Sequence, residues 1–154
     1  MARSMFDHVA LLVADLDAAV RDYTEILRVL DPTEIREVVC DHSIVDGCRV
    51  RWATFVKEDG GACIQLIESE LPKDRELLSG RGECIHHIAF CSPDVRETSR
   101  QLLSAGIPVL HPEPVHAVDR PWMTWNFISP RHAHGVLVEI SQEYKVKNGT
   151  WVKP

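Results

Sequence analysis

Four polar side chains interrupt stretches that otherwise read as buried strands. They are His8 in Phe6-Asp7-His8-Val9-Ala10-Leu11-Leu12, Gln65 in Cys63-Ile64-Gln65-Leu66-Ile67, His87 in Ile85-His86-His87-Ile88-Ala89-Phe90, and Glu139 in Val136-Leu137-Val138-Glu139-Ile140. Burying an imidazole, an amide or above all a carboxylate costs free energy unless the group is paired, hydrogen-bonded or bound to a metal. Taken singly, each has an ordinary structural reading: a hydrogen-bonded strand histidine, a half-exposed glutamine, a glutamate on the solvent side of its strand. Taken together they recur in order, histidine then glutamine in the first half, histidine then glutamate in the second. Such a repeat can bring four ligand atoms to one point on an approximate twofold axis.

Positioning these groups requires a duplicated scaffold, and the chain carries one. The segment from Phe6 to Leu16 aligns with that from Ile85 to Val95, placing His8 on His87, Ala10 on Ala89 and Asp15 on Asp94. Each copy opens with a short apolar run suited to a strand and continues into an Asp able to cap a following helix. Apolar spacing predicts a helix over about residues 16–29, with Leu16, Val20, Tyr23 and Leu27 on its buried face. Its counterpart spans about 95–105, with Val95, Leu102 and Leu103 inward and Gly106 closing it. Strands are predicted over 33–39, 49–57 and 62–68 in the first copy and over 108–111, 122–128 and 135–141 in the second, with Asp46-Gly47 and Asp59-Gly60-Gly61 as turns.

The predicted architecture is therefore an α+β fold of two βαβββ modules, about 5–70 and 84–142, within a single domain spanning 1–154. The linker over 71–83 has room for one short helix. Side chains alternate along a strand, so His8, Ala10 and Leu12 share one face, as do His87, Ala89 and Cys91, and His86 is expected on the opposite face from His87. His42, His86, His111, His116, His132 and His134 have no counterpart in the repeated ligand pattern and read as surface, loop or supporting residues.

Several segments carry a family resemblance. Asp7-His8-Val9-Ala10, Asp15-Leu16-Asp17-Ala18-Ala19, Ile64-Gln65-Leu66-Ile67-Glu68, His86-His87-Ile88-Ala89-Phe90, and Ser129-Pro130 leading into His134-Gly135-Val136-Leu137-Val138-Glu139-Ile140 resemble the vicinal oxygen chelate superfamily of glyoxalases, bleomycin-resistance proteins and dioxygenases. The resemblance covers the chain to about Glu143 and, within the superfamily, is greatest to the methylmalonyl-CoA epimerase family. It implies a curved eight-stranded sheet around a metal cleft, commonly in a homodimer, with a divalent metal held by His8, Gln65, His87 and Glu139. It also implies an isomerase, a racemase or epimerase acting on methylmalonyl-CoA or a related acyl-CoA.

Nitrogen and oxygen ligands without thiolate suit Co, Mn, Ni, Zn or Fe as the divalent ion. One carboxylate among four ligands leaves the cation electrophilic, and a fixed cation beside a thioester oxygen stabilises the charge that develops when the α-proton leaves. In that family the protons are carried by carboxylates near the metal. Glu139 is one such group, and Glu37 and Asp46 are the acidic residues available for the opposite face. Arg49 and Arg51 on the third strand are either a solvated face or a grip for a substrate carboxylate or phosphate. Trp52, Trp122 and Trp125 read as cleft wall or core.

Composition narrows the alternatives. A chain of 154 residues, 45% hydrophobic and 26% charged with 8 Gly and 9 Pro, has the makings of its own core. A net charge of −6 disfavours bulk-charge binding to nucleic acid or an anionic membrane and points to a small-molecule partner. No apolar stretch approaches the roughly 18 residues of a spanning helix, and the first residues lack a signal core, so a cytoplasmic location is expected.

Cys40, Cys48, Cys63, Cys84 and Cys91 show no C-x-x-C spacing and read as free thiols. Asn148-Gly149-Thr150 reads as a chance glycosylation sequon in a tail, 142–154, expected to be partly ordered, to pack on a neighbouring subunit or to cover the cleft. Three other functions fit the same scaffold. One is an iron dioxygenase using His8, His87 and Glu139, against which Gln65 argues by taking a position that oxygen or substrate needs. The others are a glyoxalase I-like lyase and a metal-free binding protein.

Overall fold

The computed structural model describes residues 5–32, 35–57 and 61–154. In chain order the elements are β1 (Phe6–Leu12), α1 (Leu16–Leu30), β2 (Ile35–Val45), β3 (Cys48–Lys57), β4 (Cys63–Ser69), α2 (Pro72–Arg81) and β5 (Cys84–Ser92). There follow α3 (Val95–Ser104), β6 (Val115–His116), β7 (Thr124–Ile128), β8 (Val138–Gln142), β9 (Lys145–Lys147) and β10 (Thr150–Val152). Eight strands form one curled, half-barrel sheet in the order β2-β3-β4-β1-β5-β8-β7-β6. Each half supplies four neighbouring strands, mirrored about the antiparallel β1–β5 seam, and each inner pair, β1 with β4 and β5 with β8, is parallel.

Matching caps start the two long helices. The Asp15 carboxylate accepts the Ala18 N–H at 2.9 Å, and the Asp94 carboxylate accepts the Glu97 N–H at 2.9 Å, each satisfying a backbone donor that the helix leaves open. α1 lays Leu16, Ala19, Val20, Tyr23 and Leu27 on Ala53, Phe55 and Leu66 of the sheet's helix-covered face. α3 buries Val95 and Ser99, the latter accepting an N–H from Asn126 Nδ2 at 3.1 Å, while Leu103, expected inward, is half-exposed in the last turn of the helix.

The outer strands differ from expectation in both halves. β2 extends to Val45 and turns into β3 through Asp46 and Gly47, at φ 49° and 74°, the two left-handed residues of a type I′ hairpin turn. The first residues of the expected second strand, 33 and 34, lie outside the described residues. In the second half the predicted strand over 108–111 is reduced to one bridge between Val109 and Ile128, and β6 is two residues long. Pro108, Pro112 and Pro114 remove the amide donors that a continuous ladder needs.

The C-terminal segment is a hairpin, β9 with β10, and not a frayed tail. Asn148 and Gly149, at φ 52° and 71°, form its type I′ turn, so the apparent sequon is turn chemistry. The segment fills the concave face of the sheet. Tyr144 stacks on Trp151 with ring centroids 3.9 Å apart, Trp151 meets Trp52 at 5.6 Å, and the cluster continues through Ala10, Val39, Ile67, Cys91, Ala117 and Met123. Trp122 and Trp125 pack against it as part of the core. The linker forms α2 as its length allowed. Cys40, Cys48 and Cys84 are free thiols. Among the described residues no helix is long and apolar enough to cross a membrane.

Candidate metal centre

Strand register alone brings the four marked residues onto one face. Across β4, β1 and β5, Gln65 lies beside Ala10 and Ala10 beside His87. In the adjacent row, Cys63 lies beside His8, His8 beside Ala89 and Ala89 beside Glu139. Each histidine thus faces the amide or acid of the other half across an alanine. Ala10 and Ala89 are wholly buried and carry nothing beyond Cβ, which leaves room over the seam for the longer side chains to meet.

His8 Nε2 and His87 Nε2 are 3.1 Å apart, and His87 Nε2 is 2.7 Å from Glu139 Oε2. One ligand-type atom from each of the three residues falls within 4.8 Å of the others. Both histidines are almost wholly buried, at 1% and 3% exposure. Gln65 is buried on the same face. Its Nε2 donates to Thr54 Oγ1 at 3.1 Å, leaving the carbonyl oxygen as the end that can meet a cation.

The seam pairing skips one residue in each strand, Asp7 in β1 and His86 in β5. A bulged residue is released from strict alternation, so both side chains turn toward the histidine that follows them. Asp7 Oδ2 accepts from His8 Nδ1 at 2.7 Å, and the Tyr144 hydroxyl donates to the same carboxylate at 3.0 Å. His86 Nδ1 is 2.8 Å from His87 Nδ1, and its Nε2 is 2.7 Å from Asp74 Oδ1. This corrects the expectation that His86 faces away from His87: the bulge breaks the period of two.

An ionised carboxylate only accepts, so the protons sit on His8 Nδ1 and His86 Nε2. With its proton on Nε2, His86 accepts at Nδ1 from His87 Nδ1. Both Nε2 lone pairs face each other and the Glu139 carboxylate, three acceptors with no donor among them. That is the arrangement a shared cation resolves, and two imidazoles, a carboxylate and an amide are ligands that a divalent first-row ion takes. The donor set fits the divalent metal that the fold family implies.

Burial pushes His87 below the usual imidazole value, against the opposing pull of Glu139, so the ring is neutral near pH 7. Burial pushes the Glu139 carboxyl up, but in the acid range the charge and hydrogen bond of a protonated His87 more than offset this, so the group is already ionised at neutral pH. For Asp74, burial again raises, while hydrogen bonds from His86 and Ser69 outweigh it and hold the carboxyl below its usual range.

The remaining sequence-predicted residues land elsewhere. Asp46 is exposed at the β2–β3 turn, seven residues along from the β2 position beside Thr54, roughly 23 Å at about 3.3 Å per residue. Glu37 shares the site-facing side of β2 with Val39, but its carboxylate lies by the tail hairpin, where a Cβ on Gly149 would sit 3.6 Å from Oε1. The site-facing positions of β3 are Val50, Trp52, Thr54 and Val56, none of them acidic.

Arg49 and Arg51 are on the helix-covered face. Arg51 pairs with Asp17 at 3.0 Å and Glu68 at 3.3 Å beside the start of α1, so the reading of a substrate grip there falls. Sequence reasoning missed Asp7, Asp74 and Tyr144 as supports. It also missed Arg120, which reaches from the second half to Asp41 of β2 at 2.5 Å and lies over Trp52. The Asn-Gly pair between Lys147 and Thr150 was the signal that would have found the hairpin carrying this wall.

A family model for the Glyoxalase/Bleomycin resistance protein/Dioxygenase superfamily matches residues 7–124, and the chain belongs to that superfamily. Among solved structures, the chain is similar to methylmalonyl-CoA epimerase from Mycobacterium tuberculosis, at 27% identity and a TM-score of 0.71 over 92% of this chain and 91% of that one. A Streptomyces coelicolor methylmalonyl-CoA epimerase variant in complex with 2-nitronate-propionyl-CoA is 27% identical, with a TM-score of 0.67 over 92% of this chain and 99% of that one. The same identity and TM-score hold for a methylmalonyl-CoA epimerase in complex with methylmalonyl-CoA and ammonium, over 92% of this chain and 96% of that one. No curated protein sequence matches the chain.

Proposed function

We propose that this protein is a metal-dependent racemase or epimerase of a 2-substituted malonyl-CoA-type thioester, with His8, Gln65, His87 and Glu139 as metal ligands. The observation that carries the reading is the meeting of His8 Nε2, His87 Nε2 and the Glu139 carboxylate within 4.8 Å, across a seam that two repeated halves build equally. The acyl-CoA ligands named for the similar structures support the substrate class. A divalent cation held there supplies a fixed positive charge where the thioester oxygen becomes anionic on loss of the α-proton.

Glu139, ionised and on the site face, takes the proton from one side of the α-carbon. Of the acidic residues marked in the sequence for the opposite side, Glu37 is the one on the site-facing side of β2. In this reading a protonated Glu37 returns a proton to the other face, completing the inversion, and exchange with solvent carries off the proton held by Glu139 and restores that of Glu37. A homodimer of single-domain chains is part of the same proposal.

The test is exchange in D2O. Protein reconstituted with Co2+ and given methylmalonyl-CoA is expected to lose the α-proton signal by NMR, and chelated protein to leave it intact. No metal-dependent exchange with any acyl-CoA would overturn the reading. One observation favours a second reading. The three side chains whose ligand atoms meet within 4.8 Å, His8, His87 and Glu139, are by themselves a two-histidine, one-carboxylate set suited to iron and oxygen chemistry. Oxygen uptake by the iron-loaded protein with catechols would select that alternative.

A further inference from the structure

Asp7 and His86 hold equivalent positions in the two halves. Each precedes a histidine of the cluster, and each is the bulged residue of its strand on the β1–β5 seam. Asp7 places a carboxylate directly on His8 Nδ1. His86 places only a second imidazole on His87 Nδ1, and the carboxylate comes one step further out, from Asp74 on α2. The Asp74 and His86 side chains are mostly buried, at 14% and 13% exposure. Ser69 Oγ donates to the other Asp74 oxygen at 2.6 Å and itself accepts the Leu71 N–H at 3.2 Å, so the end of β4 holds the acid in place. α2 belongs to neither repeat.

We propose that Asp74, acting through His86, is a positioning residue for His87: the linker helix supplies the second half with the carboxylate that Asp7 supplies in the first. This rests on the reading of His8, His87 and Glu139 as a cation site. A metal-binding histidine typically donates its other N–H to an oriented acceptor, which fixes the tautomer and the ring plane. Losing such a partner costs about 10–100-fold in metal affinity. A purely structural Asp74–His86 pair would instead lower the melting temperature and leave metal affinity unchanged.

The experiment is titration of metal-free protein with Co2+, read by visible absorption, beside thermal melting of the same metal-free samples. Asp74→Asn is expected to weaken Co2+ binding by about 10–100-fold and to alter the cobalt spectrum. Adding His86→Asp to Asp74→Asn puts a carboxylate directly next to His87, as Asp7 is to His8, and is expected to recover most of the loss.

Wild-type affinity in Asp74→Asn, or no recovery in the double variant, overturns the inference. Wild-type protein that takes up no cobalt overturns the cation reading as well, which separates the two failures. Should Asp74→Asn not fold, Ser69→Ala carries the test by releasing one Asp74 oxygen: weaker cobalt binding supports the inference, and unchanged binding overturns it.

Discussion

In the first half of the sheet, β2 and β3 pair without a break from Val45–Cys48 to Glu37–Val56 around an Asp-Gly turn; the matching edge in the second half is the two-residue β6, flanked by prolines. The inner strands show no such divergence. β1 beside β4 and β5 beside β8 repeat each other in direction and in the face they give to His8, Gln65, His87 and Glu139. The site's geometry therefore resides in the seam and its two parallel neighbours, with the outer strands free to serve other ends. The long β2 supplies Asp41 for Arg120 and a surface for the C-terminal hairpin. Support of the histidines diverges too, direct through Asp7 in one half and relayed through His86 and Asp74 in the other.

Exchanging ligands between the two halves is expected to have the largest effect. Glu139→Gln removes the single acidic ligand, and Co2+ affinity is expected to fall beyond the roughly 100-fold ceiling of outer-partner losses. Adding Gln65→Glu returns the carboxylate at the related position and is expected to restore binding by calorimetry. A double variant as weak as the single would show that the two halves are not interchangeable around the cation.

Next in size is the C-terminal hairpin that packs beside β2. Trp151→Ala empties the stack against Tyr144 and Trp52 and is expected to cost about 3–5 kcal/mol in urea denaturation. Trp151→Phe is expected to cost much less, because the buried Trp151 Nε1–H has no acceptor to lose among the described residues. A loss below about 1 kcal/mol for the alanine variant would leave the hairpin without a stabilising role.

Acidity probes the asymmetry of the histidines. The folded-state value of His87 lies below the unfolded imidazole value of about 6.5, so the unfolded chain binds more protons in that range. Stability of the metal-free protein is therefore fully present above about pH 6.5 and declines as pH falls through the folded value. Melting curves should show this decline, and His87→Gln should flatten it. Smallest is the test of sameness: Asp15→Ala and Asp94→Ala each remove an equivalent helix cap and should each cost about 1 kcal/mol. Unequal costs would show that the two strand-to-helix junctions are not equivalent.

Duplication, helix capping and strand alternation are local signals, and they suffice to read the two βαβββ units, the inner strands, the linker helix and the shared face of the four marked residues. The outer strands of the second half were less legible, because the prolines between Ile107 and Val115 act by removing hydrogen bonds to a partner strand not yet known. His86 shows the same limit more sharply. Alternation sends it away from His87, but a bulge depends on how two strands distant in sequence match residue for residue.

Composition and spacing thus establish which chemical groups are available and on which strands they ride, since both follow from the order of residues along the chain. Folding in three dimensions decides the rest: that Asp7 and Asp74 back the two histidines, that Tyr144 and Trp151 close the concave face, and that Asp46 stays at a distant turn. Those outcomes depend on long-range register and packing, in which each residue's neighbours are chosen by the whole sheet and not by its own stretch of sequence.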